Sequence, residues 1–192
     1  MNKNEIIKMM ENHLKLIADL IKKTNIPEPV SIRISNIDKI DESVLEPIKS
    51  YKNENIVYLI MLKEELNNAT TPENIVKLFE KIRAKHGKDN WCISNVNHAN
   101  WKADSRCLYV GSSHGGIMTR MKQHLAVGNL TSRKTYSFWL KDWFGKSGLP
   151  QEIEISFLAL KDLSSDDIYM IEDLLWRGLS PLFGRPGKSP KS

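Results

Sequence analysis

Two rhythms of hydrophobic and polar positions run along this chain, one with helical spacing and one that alternates. Residues 4–23 carry Ile6, Ile7, Met10, Leu14, Ile17, Leu20 and Ile21 at helical spacing, with Asn25 and Pro27 as the stop. Val30-Ser31-Ile32-Arg33-Ile34 alternates as a half-buried strand does. Residues 38–51, with Ile40, Val44, Leu45 and Ile48, read as a short helix interrupted by Pro47. The continuous apolar run from Ile56 to Leu62 suits the middle of a sheet. Thr71 as N-cap and Pro72 at the first position then start a helix through Ile75, Leu78, Phe79 and Ile82, ending at Gly87. Cys107 to Val110 predicts a short buried strand, Gly111 to Gly116 a turn, and Ile117, Met121 and Leu125 a helix from about Ile117. A polar, basic loop from Leu130 to Tyr136 leads into a short aromatic helix, Ser137 to Phe144, with Phe138, Trp139 and Trp143 as core. Glu152 to Leu160 is a further strand. Asp166 to Leu179 is a helix capped by Ser164 or Ser165.

Composition narrows the class. At 192 residues the chain is long enough for a proper core in one domain with an appended element. No run approaches the roughly 18 apolar residues of a membrane span, and the N-terminus has polar residues where a signal peptide is apolar. The expectation is a cytoplasmic protein with no membrane partner. The two cysteines, Cys92 and Cys107, indicate no disulfide framework, and with His98 and His114 they match no zinc spacing. The net charge is +5, and it is concentrated: residues 101–150 hold eight basic and two acidic side chains. Such a patch is either a solvated basic face or the footprint of a polyanion. The apolar stripe of residues 4–23 either packs on its own domain or joins two chains into a homodimer.

The chemistry gathers between Cys107 and Leu125. Tyr109 leaves a strand, glycines follow where backbone can approach a ligand, and Arg120 and His124 share one helix face. Tyr109-Val110-Gly111, with Ser-Ser behind it and Arg120-x-x-x-His124 beyond, resembles the second half of the GIY-YIG nuclease domain. The resemblance covers about residues 55–188, leaving 1–54 as an N-terminal helical and strand extension and 189–192 as a flexible basic tail. It implies an α/β fold: a small, mainly antiparallel, three-stranded sheet flanked by helices. The family's first tyrosine falls on Tyr58, whose strand lacks the usual glycine, or else on the Trp91 region, where indole cannot exchange a proton usefully. Tyr58 has the better strand and keeps the hydroxyl.

The resemblance further implies a metal-dependent endonuclease acting on DNA, in restriction and defence or in repair. Glu172 corresponds to the family's metal-binding glutamate, holding Mg²⁺ or Mn²⁺, with Asp173 as the fallback. Arg120 would bind the non-bridging phosphate oxygens. Tyr109, or Tyr58 with it, would orient or deprotonate the water, and His124 would position that tyrosine or relay its proton. Lys122, Arg133, Lys134, Arg185 and Lys188 are the candidate nucleic-acid contacts. Where the family pattern places an asparagine, this sequence has Gly184 or its neighbours. The alternative is a nucleic-acid-binding module that kept the fold and lost cleavage.

Overall fold

Four segments pair into one antiparallel sheet: β1 (Val30–Ile34), β2 (Asn55–Leu62), β3 (Cys107–His114) and β4 (Ile153–Ala159), in spatial order β1-β4-β2-β3. The computed structural model describes residues 27–63, 71–86, 101–129, 137–145 and 152–186, with helical positions scattered between residues 7 and 22. The fold is α/β. The sheet has four strands rather than the expected three, because Val30–Ile34 docks along β4 from Val30 opposite Phe157 to Ile34 opposite Ile153. Alternation marks this segment as a strand, but its partner lies far along the chain and leaves no local trace.

As the apolar run requires, β2 is interior, and its two faces divide the core. Ile56, Tyr58 and Ile60 face the main core with Leu45, Ile48, Phe79, Met121, Phe138 and Trp143. Val57, Leu59 and Met61 face the other way, toward Ile168, Leu175 and Trp176. The main core is closed by α1 (Pro72–His86), α2 (Ile117–Leu125) and the four-residue α3 (Leu140–Trp143). The opposite face is covered by α4 (Ser165–Leu179), whose start is fixed by a reciprocal capping box between Ser164 and Asp167. Residues Glu42–Tyr51 form a 3-10 helix with Pro47 inside it, and Leu45 and Ile48 are buried.

Two local departures from the expected pattern shape the site. β3 continues through Gly111, Ser112 and Ser113 to His114 instead of turning at Gly111, because β2 is long enough to pair with the whole stretch. The turn falls at Gly115, whose φ of +69° favours glycine. The aromatic helix is cut to one turn, because Trp139 before it takes a left-handed conformation (φ 52°) while wholly buried. After α4, the N–H groups of Leu182 and Phe183 donate to the carbonyls of Cys107 and Leu108, so this stretch flanks the start of β3. Among the described residues no helix is long and apolar enough to cross a membrane.

Candidate active site

The register of β2 and β3 builds the first part of the site. Tyr58 lies opposite Gly111, and Tyr109 opposite Ile60. A Cβ on Gly111 would sit 2.5 Å from the Tyr58 hydroxyl and 2.7 Å from the Tyr109 ring. The glycine therefore lets the Tyr58 ring lie across β3 and stack on Tyr109, with centroids 6.2 Å apart and planes 14° apart. Tyr58 is wholly buried, whereas Tyr109 is half-buried.

Arg120 and His124 come from α2, one turn apart. The Arg120 guanidinium donates from Nε to the Tyr58 hydroxyl (3.2 Å), from Nη2 to the Tyr109 hydroxyl (3.4 Å) and from Nη1 to Ser137 Oγ (3.3 Å). His124 points into the core beside Ile117, Met121 and Leu125. Its Nδ1 accepts the backbone N–H of Phe138 (3.2 Å). A backbone amide can only donate, so Nδ1 carries the lone pair and the proton of the neutral ring sits on Nε2. His124 Nε2–H therefore donates to the Tyr58 hydroxyl oxygen at 2.9 Å. Burial, with the Arg120 charge added, holds His124 well below the usual histidine range, which keeps this neutral tautomer in place. Burial likewise raises the Tyr58 hydroxyl far above the ordinary phenol range, and Arg120 offsets only part of that. These bonds suit His124 to positioning Tyr58 and leave Nε2 no lone pair with which to take its proton. Tyr58 itself is an anchor for Arg120 rather than a base.

Glu172 approaches from the other face of the sheet. Alternation along β3 turns Ser112 toward α4, and Ser112 Oγ donates to Glu172 Oε2 at 2.6 Å. Burial raises the Glu172 carboxyl above its ordinary range, partly offset by the Ser112 hydrogen bond and the Arg120 charge. Among the described residues no three of His, Cys, Asp or Glu cluster as a metal cage. One accessible carboxylate with an oxygen to spare fits Mg²⁺ or Mn²⁺ of the kind that keeps most of its own water. Asp173 is engaged elsewhere, in a 2.7 Å pair with Arg177.

The structure thus gathers Tyr58, Tyr109, Arg120 and His124 by direct contact, and Glu172 within reach of the Arg120 field. Of the basic candidates, Lys122 and Arg185 are the described ones. Lys122 pairs with Glu42 of the 3-10 helix, and Arg185 is exposed just past the site. Arg133, Lys134, Lys188 and the Trp91 region lie outside the described residues, as do most apolar positions of the 4–23 stripe. Gly184, in the stretch where the resemblance leads one to expect an asparagine, has φ +99° and the Tyr109 ring 3.0 Å from where a Cβ would be.

Ser137, the Phe138 amide and His114 escape a reading of motifs, and Ser112 enters it only as half of the Ser-Ser pair, without its partner Glu172. Ser137 and the Phe138 amide lie far along the chain from Arg120 and His124, and only tertiary packing brings them together. Ser112 is signalled by period two, since it shares a face with Val110. His114 continues that face: its Nδ1–H donates to Asn55 Oδ1 (3.3 Å), Asn55 being oriented by its own bond to the Leu163 carbonyl, and its ring meets Tyr169 edge-on. No family model, curated protein or solved structure matches the chain.

Proposed function

We propose that this chain is a metal-dependent DNA endonuclease of the GIY-YIG kind, hydrolysing phosphodiester bonds. The observation that carries the reading is the Arg120 guanidinium fastened by the hydroxyls of two stacked tyrosines, with a carboxylate on the far face of the same strand. A planar fork held in this way presents its charge in one orientation, which suits the non-bridging oxygens of a phosphate. Tyr58 and His124 fix that orientation from the dry side. Tyr109, half-buried, is the hydroxyl that can meet and orient the attacking water. Glu172 would hold the divalent cation, which when bound supplies Lewis-acid stabilisation of the phosphate and the leaving oxygen.

A second reading has one observation in its favour. Gly184 and its neighbours offer no asparagine where the family pattern has one, and the Gly184 φ of +99° disfavours a side chain there. A nucleic-acid-binding module that does not cut fits that departure.

The deciding experiment is cleavage of supercoiled plasmid and of branched DNA with Mg²⁺ or Mn²⁺, beside Glu172→Ala and Arg120→Ala. Metal-dependent nicking that both substitutions abolish supports the nuclease. DNA bound without cleavage, with salt-sensitive affinity that Arg120→Ala weakens, supports the binding module. Cleavage that survives Glu172→Ala removes Glu172 from the metal role.

A further inference from the structure

The first intrahelical hydrogen bond of α2 runs from the Arg120 N–H to the Gly116 carbonyl, at 3.0 Å. The N–H groups of Ile117, Met118 and Thr119 come before any intrahelical acceptor. No side chain caps them, since the N-cap is Gly116, and the first turn carries no acid. Gly116 and Met118 are half-buried and Thr119 is exposed, so solvent reaches this end of the helix.

An independent feature points to the same place. Ser113 as a residue is only 8% exposed, and its hydroxyl, which makes no hydrogen bond to a described residue, keeps a small solvent-facing surface. It borders the open side of Gly116, where an added Cβ would lie 3.7 Å from Ser113 Oγ with no other atom that close. An unpartnered hydroxyl on an otherwise buried residue and a set of backbone donors thus flank one small open space, at the positive end of a helix dipole. That combination selects an anion.

We propose that the start of α2 together with Ser113 is a phosphate-binding subsite. Resting on the nuclease reading, it takes the phosphate next to the one that Arg120 addresses, on the same strand. Ser113 Oγ–H and the N–H groups of Ile117 and Met118 are the donors. Arg120 lies one helical turn further on, about 5.4 Å along the axis, and long helical side chains lean back toward the N-terminus. Glu172 is held by Ser112, the neighbour of Ser113 on the opposite face of β3. The subsite, the guanidinium and the carboxylate are therefore linked through three consecutive structural steps, which fits a nucleic-acid strand crossing the end of β3.

Gly116→Asn and Gly116→Asp test this. The Gly116 φ of −130° accommodates other residues, and both replacements are good N-caps, so neither weakens the helix. Each places a side-chain oxygen where the phosphate would sit. Two probes are used on the full chain: inorganic phosphate followed through the amide NMR signals of residues 116–118, and a short labelled DNA duplex in metal-free buffer at several salt concentrations. The expected result is amide shifts with phosphate in the wild type that both variants lose, with melting temperature unchanged or raised. Duplex affinity falls about threefold in Gly116→Asn and about tenfold in Gly116→Asp, and the salt slope drops by about one. Ser113→Ala gives a loss of a few-fold. A duplex bound equally well by all variants, with amides silent to phosphate, overturns the subsite and leaves the nuclease reading standing. Amides that respond to phosphate in a protein that neither binds nor cuts DNA keep the anion site, with a free phosphate compound as its ligand, and remove the nuclease reading.

Discussion

On one face of the sheet, Tyr58 and His124 are wholly buried and neutral, and both ring nitrogens of His124 are satisfied. On the other, Glu172 is half-buried, carries a carboxyl that burial disfavours ionising, and among the described residues accepts from the Ser112 hydroxyl alone. The first half is built like protein interior, where polar groups are affordable only when paired. The second is built like a surface that tolerates stress in order to present charge. Arg120 joins them, since the dry half holds its guanidinium while its field reaches the wet half. The contrast separates groups locked into the interior from groups left open to a ligand, which a motif alone does not do.

The comparison breaks most visibly at its joint. Arg120→Lys is expected to lower single-turnover cleavage by about 10²- to 10³-fold, the cost of losing one preorganised donor group. A lysine point charge cannot hold Tyr58, Tyr109 and Ser137 at once. Near-wild-type cleavage by this variant would sink the assignment.

Within the dry half, His124→Ala is expected to cost about 3 kcal/mol in urea unfolding, by opening a cavity and leaving the Phe138 N–H without an acceptor. The same group sets an acid limit. Its folded pKa is depressed, so as pH falls below about 6.5 the unfolded chain takes the proton first. Its stabilisation is present above that value and lost on acidification. Wild-type stability should fall as pH drops below about 6.5, and the variant should show a flatter profile there.

A sharper cut compares the two tyrosines. Tyr58→Phe removes the hydroxyl that accepts from both His124 and Arg120, two buried donors, and is expected to cost about 1–3 kcal/mol. Tyr109→Phe removes one long hydrogen bond at a half-exposed hydroxyl and should cost less than about 1 kcal/mol, while depressing kcat more than KM. Equal stability losses would show that the two halves are not built differently.

The smallest effect belongs to the wet half and has the opposite sign. The folded pKa of Glu172 is raised, so its contribution is present below the unfolded value near 4.3 and lost as pH rises through the folded value. Glu172→Gln should therefore raise stability at neutral pH, by about 1 kcal/mol in thermal melts, while removing activity.

Much of this plan is visible in the residues themselves. The run from Ile56 to Leu62 marks an interior strand, and Ser164 followed by Asp167 marks the start of α4. The burial of His124 is also written in the spacing, since it falls with Ile117, Met121 and Leu125 on one apolar face. What the chain does not display is whatever distant pairing creates. Val30–Ile34 joins the sheet through β4, Gly111 falls under the Tyr58 ring only because β2 and β3 are in that register, and Ser137 meets Arg120 only through tertiary packing. The resemblance names Tyr109, Arg120 and Glu172, but it does not indicate that Tyr58 is sealed from solvent or that His124 lacks a lone pair toward it.

The bond from the Phe138 amide to His124 makes one proton a recorder of the site's assembly. Phe138, Trp139 and His124 are all fully enclosed, and Trp139 keeps a left-handed backbone inside that enclosure. In deuterated solvent this amide should exchange only when the core opens as a whole. Its protection can be followed in the absence of any nucleic acid, and a substitution that loosens the guanidinium without unfolding the chain should leave it untouched.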